Sequence, residues 1–288
     1  MNDKPMITGA TKIYGIIGYP VSHSLSPLMQ NAALSASKID GIYLPFAVKP
    51  EQLSVAVSGL RALQLSGFNV TIPHKTSIIS LLDELAPTAV QAGAVNTVVN
   101  DNGRLLGHNT DGDGLLKSLK EDLKFDPADS RVLLIGAGGA ARGALAALCR
   151  AGVASVTVCN RTAGTASRLI TDFKLNFPGI ALKVIENGSL SYDLPADIDM
   201  VINATSLGMA GEKIEGLSLA LLPDHAKVYD MVYTPAITPL LSEAKERGLM
   251  AVNGLGMLVS QGELAFSLWH SIPPENGVMR AALESSLP

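Results

Sequence analysis

The chain has 288 residues, 47% of them hydrophobic, enough to build one large core or two ordinary ones. A net charge of -4 with only 17% charged residues offers no basic stripe for a phosphate backbone or an anionic membrane, so neither nucleic acid nor membrane is an expected partner. The opening MNDKPMITGATK lacks an apolar signal core, and the longest apolar run, 132–149, carries Arg142 among many Gly and Ala, so a cytoplasmic protein is expected.

Strand-like and helix-like runs alternate almost from end to end, the pattern of an α/β fold with largely parallel sheets. KIYGIIGYP (12–20), GIYLPFAV (41–48) and GFNVTIP (67–73) read as strands, separated by the helical spacing of SPLMQNAALSAS (26–37) and PEQLSVAVSGLRAL (50–63). AVNTVVN (94–100) and RLLGHN (104–109) flank Asp101-Asn102-Gly103, a hairpin turn, which makes the first sheet mixed. DGDGLLKSLKEDLKFDPADS (111–130) reads as a helix and a polar loop joining two domains. Six apolar strands follow, beginning at residues 131, 155, 182, 199, 227 and 249, the number expected of a doubly wound nucleotide-binding sheet. The tail is helical over 257–271 and 275–286 and is expected to return to the first domain. The expected architecture is two α/β domains: a mixed-sheet domain of residues 1–112 completed by 254–288, and a Rossmann-like domain of residues 113–253. Cys149 and Cys159 belong to no cluster at metal spacing, so no metal is expected, and a reducing compartment accounts for both thiols.

In RVLLIGAGGAARGALAAL a buried strand runs into a Gly-rich turn and then a helix of small residues. Gly136 permits the tight turn, Gly138 lets the backbone approach a pyrophosphate, and the small Ala141 allows helix to pack on strand. A lone Gly-rich run marks an ordinary turn more often than a phosphate site, but here the strand, helix and next strand frame it. That next strand ends in Asn160-Arg161-Thr162, where an NAD-binding unit places an Asp or Glu against the ribose hydroxyls. A guanidinium with neutral neighbours suits a 2′-phosphate, so NADP is the expected cofactor; the plain alternative is a solvated arginine at a strand end.

The remaining motifs are SHSLSP (22–27), NVTIPHK (69–75), AGAVNT (92–97), GHNTDG (107–112), NATSLGM (203–209), YDMVYTP (229–235) and GLGMLVSQ (254–261). With GAGGAAR and NRT, and in this order, they closely resemble the shikimate dehydrogenase family over nearly the whole chain. The resemblance implies an NADP-dependent oxidoreductase acting on a CH–OH group, reducing 3-dehydroshikimate reversibly to shikimate on the route to chorismate and the aromatic amino acids. Position by position it implies that Ser24 and Ser26 hold the substrate carboxylate with Tyr233 close by, and that Lys75, Asn96, Asp111 and Gln261 grip ring hydroxyls. Thr71 would line the pocket, and Lys75 and Asp111 would be the catalytic pair. Gly136, Ala137, Gly138, Gly139 and Ala140 would bind the cofactor with Asn160, Arg161 and Thr162, while Thr205, Ser206, Gly208, Met209, Val232 and Gly254 would border its nicotinamide.

The residue types make chemical sense for a small polyol acid, because unpaired polar groups in a closed site penalise the wrong ligand. Each also has a plain alternative. The serines could cap the helix beginning near Pro27, Asn69 and Asn96 could stabilise turns, Asp111 could be an N-cap, and Lys75 could be solvated. His23, His74 and His108 lie in or beside the motifs but are expected at the pocket rim or surface, since the resemblance puts the proton carrier at Lys75. The rival enzyme is a quinate/shikimate dehydrogenase; the rival of another class is a regulator that senses shikimate or NADP without turnover. A homodimer and a monomer fit the sequence equally.

Overall fold

A computed structural model describes residues 7–186 and 197–286, so the first six residues of the amino-terminal stretch lie outside it. The chain forms two compact units, Met1–Thr110 with Leu258–Pro288, and Asp111–Met257. Asp111, Gly112 and residues 254–257, which the sequence reading grouped with the first domain, belong to the second unit.

The first unit is built on β1 (Lys12–Gly18), α1 (Ser26–Ala36), β2 (Gly41–Ala47), α2 (Leu53–Ala62), β3 (Gly67–Val70), β4 (Glu84–Leu85), α3 (Pro87–Ala92), β5 (Thr97–Asp101) and β6 (Arg104–His108). Its sheet has the order β2-β1-β3-β5-β6-β4, parallel among the first three strands and antiparallel where β5 meets β3 and β6. Mixed character follows from the turn between β5 and β6, where Asn102 (φ 51°) and Gly103 (φ 93°) both take the left-handed conformation that a two-residue hairpin requires. Strand β3 ends at Val70, three residues before the run read from sequence, because the chain turns at Thr71, whose carbonyl accepts the amide of His74 at 2.9 Å. Ile17, Phe68, Val95, Val98 and Leu105 form the centre of the core beneath this sheet.

The second unit contains α4 (Asp111–Asp122), β7 (Arg131–Ile135), α5 (Gly139–Arg150), β8 (Ser155–Asn160), α6 (Ala163–Asn176), β9 (Ala181–Glu186), β10 (Met200–Asn203), β11 (Lys227–Asp230), α7 (Pro239–Glu246) and β12 (Met250–Asn253). All six strands are parallel, in the order β12-β11-β10-β7-β8-β9, which is the doubly wound arrangement. Strand β10 is buried at every position, and β7 and β8 nearly so, which is why they read as continuous apolar runs rather than alternating ones. Helix α4 lies close against α5 through two glycines, since a Cβ on Gly112 would fall 2.5 Å from the carbonyl oxygen of Gly143.

Two helices end the chain, α8 (Leu255–His270) and α9 (Val278–Glu284). Trp269 of α8 donates its indole N–H to the carbonyl of Val98 at 3.0 Å, and its ring fills the space a side chain at Gly67 would need. Helix α9 packs along α1. Among the described residues, no helix is long and apolar enough to cross a membrane.

Candidate active site

One hydrogen-bond network runs through the interior of the first unit. Asn69 of β3 stands opposite Thr97 of β5; its Nδ2 donates to the carbonyl of Asn96 and to Thr97 Oγ1, both at 3.0 Å. Its Oδ1 accepts the hydroxyl of Tyr43 at 2.7 Å, and the Ser26 side chain lies close enough to that phenol to favour its ionised form. Burial pushes the Tyr43 phenol well above its ordinary pKa, outweighing the effect of Ser26, so the group stays neutral. Asn96 donates to Thr110 Oγ1 at 2.9 Å and to Gln261 Oε1 at 3.5 Å, while its own Oδ1 accepts the Thr110 amide at 2.8 Å. Asn96 and Gln261 thus share one network, with Ser26 at its Tyr43 end. Tyr43 and Thr110, which the sequence reading did not single out, complete the chain of contacts.

Helix α1 opens at Ser26, and its N-cap, Leu25, provides no side-chain cap. Ser24 Oγ instead accepts the Ser26 amide at 3.3 Å. Thr71 and Lys75 are both half-buried. The carbonyl of Lys75 accepts the amide of Val95 at 2.7 Å, which pins the lysine backbone beside the residue that precedes Asn96 on the approach to β5. His74 departs from its expected place at the rim or surface. It is 1% exposed, and its Nε2 hydrogen-bonds the Val48 carbonyl at 2.7 Å, so it holds the turn from inside. His23 is exposed; His108 is half-buried, and burial lowers its pKa.

In the second unit Asp111 is buried in the first turn of α4. Tyr233 is partly buried, which raises its phenol pKa. The Gly-rich turn has the backbone geometry for a phosphate. Gly136 takes φ 113° and donates its amide to the Cys159 carbonyl at 2.7 Å, and a Cβ there would meet Thr205 and Ala204 at 3.0 and 3.1 Å. Gly138 is the N-cap of α5 and has open space where a Cβ would project, so its backbone face can be approached closely. No side chain caps this helix and no acidic residue lies in its first turn, which leaves the amides of Gly139 and Ala140 directed outward with the positive end of the helix dipole. At the end of β8, Asn160 Nδ2 donates to the Thr162 carbonyl at 3.0 Å, shaping a turn on which Arg161 and Thr162 are exposed. No carboxylate among the described residues pairs with Arg161. Gly208 takes φ 102°, and Gly254 packs so tightly on the backbone of Met231 that no Cβ fits. These residues fit a dinucleotide that carries a 2′-phosphate.

A doubly wound unit with this turn, joined in one chain to a mixed-sheet unit containing a neutral polar network, defines the class as a two-domain α/β oxidoreductase. Residues 16–98 match the shikimate dehydrogenase substrate binding domain, residues 118–208 match shikimate / quinate 5-dehydrogenase, and residues 254–284 match the shikimate 5′-dehydrogenase C-terminal domain. The chain is 50% identical over 287 residues to the shikimate dehydrogenase (NADP(+)) of Geobacter metallireducens, covering 98% of this chain and 99% of that one. It superposes on the shikimate dehydrogenase structure from Aquifex aeolicus with a TM-score of 0.86 at 38% identity, covering 96% and 99% of the two chains. Against the shikimate 5-dehydrogenase of Thermus thermophilus in complex with NADP(H) and shikimate the TM-score is 0.84 at 34% identity, covering 96% and 100%. The chain belongs to the shikimate dehydrogenase family.

Proposed function

We propose that the protein is an NADP-dependent shikimate dehydrogenase that reversibly reduces 3-dehydroshikimate to shikimate, a step toward chorismate and the aromatic amino acids. The observation that carries this is the network from Tyr43 through Asn69 and Asn96 to Gln261, with Ser26 beside its Tyr43 end. It is a row of neutral donors and acceptors suited to a small ring with a carboxylate at one end and hydroxyls at the other.

In this proposal Ser24, Ser26 and Tyr233 hold the carboxylate, Thr71 lines the pocket, and Asn96, Gln261, Lys75 and Asp111 take the ring oxygens. Gly136 to Ala140 and Asn160 to Thr162 hold the dinucleotide, with Arg161 forking two donors onto the 2′-phosphate. Thr205, Ser206, Gly208, Met209, Val232 and Gly254 border the nicotinamide. NADPH, when bound, supplies the hydride to the ring carbon. As negative charge develops on the ring oxygen, the Lys75 ammonium stabilises it and donates the proton that completes the hydroxyl. Asp111 serves as the partner carboxylate of Lys75. In the oxidising direction the hydroxyl proton leaves by the same lysine. The proposal includes a cytoplasmic location, supported by two unbridged cysteines, Cys149 and Cys159, whose thiols burial pushes up to about 12 and about 11.

The test is to incubate purified protein with shikimate and NADP and follow the absorbance of the reduced cofactor. A parallel arm with quinate separates a strict shikimate enzyme from a dual one. Binding of both ligands without reduction of NADP would instead identify a sensor.

A further inference from the structure

Asp230 is a carboxylate with no exposed surface that none of the steps above uses. It ends β11, in register with Asn203 at the end of β10, so both sit at the carboxyl edge of the parallel sheet, where doubly wound folds bind their ligands. Its two oxygens accept hydrogen bonds from three separate stretches of chain. Oδ1 takes Asn203 Nδ2 at 2.9 Å and the Val232 amide at 3.0 Å; Oδ2 takes the Thr238 hydroxyl at 2.6 Å.

Each partner passes the constraint on. Asn203 Oδ1 accepts both the amide of Thr205, at 3.0 Å, and its hydroxyl, at 2.7 Å, while Asn203 Nδ2 also donates to the Leu207 carbonyl at 3.0 Å. Thr238 caps α7 by accepting the Leu241 amide at 3.3 Å, and its Cβ would lie 3.1 Å from a Cβ placed on Gly208. The Val232 carbonyl accepts the Gly254 amide at 3.2 Å. One buried carboxylate therefore ties together residues 205–208, Val232 and Gly254. Burying such a group without a cation is costly, so it persists where its bonds are needed; burial raises its pKa, and the hydrogen bonds from Thr238, Val232 and Asn203 oppose that shift.

We propose that Asp230 is a positioning residue for the nicotinamide end of the cofactor. Through Asn203, Thr238 and Val232 it sets the segments that border the ring, resting on the assignment of those segments made above, and it touches neither substrate nor dinucleotide itself.

The experiment compares wild type with Asp230→Asn, Thr238→Val and Thr238→Ser. Thr238→Val removes the bond to Oδ2 together with the cap on the Leu241 amide, and leaves the bonds of Asn203 and Val232 to Oδ1 in place, which keeps the proposal testable if Asp230→Asn does not fold. Fluorescence titration measures binding of NADPH and of adenosine 2′,5′-bisphosphate, which lacks the nicotinamide, and turnover is measured with NADPH and with its hydride position deuterated. Asp230→Asn and Thr238→Val should bind the bisphosphate within about twofold of wild type, yet lose about tenfold in NADPH affinity and turnover with a larger isotope effect. Thr238→Ser, which retains the hydroxyl, should restore wild-type behaviour. Equal loss of both ligands, or a lower melting temperature with unchanged affinity and isotope effect per folded molecule, would overturn the proposal by making the clamp merely structural. Wild-type protein that bound the bisphosphate and NADPH with equal affinity would remove the nicotinamide assignment and this inference with it. Wild type that bound neither would sink the dinucleotide site as a whole, and the inference too.

Discussion

Ser24 and Ser26 are coupled: the hydroxyl oxygen of Ser24 accepts the amide of Ser26 at 3.3 Å. As carboxylate donors far from the reacting bond, they would act equally in ground and transition states. Ser24→Ala and Ser26→Ala should therefore raise the KM for shikimate with little change in kcat, each lost bond to a charged group being worth roughly 1.5 to 3 kcal/mol. Wild-type KM values in both variants would confine the serines to a structural role.

Lys75→Ala should reduce turnover by about two to four orders of magnitude while changing shikimate affinity much less, as expected for loss of a proton donor and of charge stabilisation. Single-turnover kinetics with equilibrium binding of shikimate make the comparison. Near-normal turnover would take the lysine out of the mechanism.

Arg161→Ala should weaken NADP binding and leave NAD binding nearly unchanged, because only NADP carries the phosphate onto which the exposed guanidinium can fork. Arg161→Asp should go further by repelling that phosphate. Steady-state titrations with both cofactors at saturating shikimate read this directly. Equal loss for the two would mark the arginine as structural.

His270 packs between the rings of Tyr14 and Phe266, with centroids 4.9 and 4.2 Å away, and its buried Nε2 has no hydrogen-bond partner among the described residues. Burial, helped by the charge of Lys12, lowers its pKa from 6.5 to about 4. With the folded value below the unfolded one, the unfolded chain binds this proton first. Stability is intact above pH 6.5 and is lost as pH falls from there to about 4. His270→Phe should flatten the melting-temperature profile across that window relative to wild type. Parallel profiles would mean that His270 does not control it.

Gly67→Ala should destabilise the first unit by about 1 to 3 kcal/mol through overpacking, because the new methyl overlaps the Trp269 indole and the carbonyl of Val98 that it hydrogen-bonds. Since Trp269 anchors the helix that carries Gln261, shikimate affinity should fall as well. Thermal melts and substrate titrations of the same preparation check both effects.

The alternation of elements, the Asn102-Gly103 hairpin, the six parallel strands, the Gly-rich turn and the missing carboxylate after β8 were all legible in the sequence. Each depends on residues within a turn or a strand length of one another, and side-chain periodicity or the conformational freedom of glycine settles such features locally. Which polar groups meet was not legible. Asn96 and Gln261 stand 165 residues apart, and Tyr43 joins Asn69 across two strands that are not neighbours in the sheet. The sequence places His74 at the rim, whereas the turn after β3 buries it against the carbonyl of Val48. Strand β11 stops at Asp230 instead of running through Tyr233, because its carboxylate captures the Val232 amide that a longer strand would have given to a neighbour. Burial and hydrogen-bond pairing are properties of groups that approach through space, so the fold class could be read from the chain while the partners within each unit were decided only by its packing.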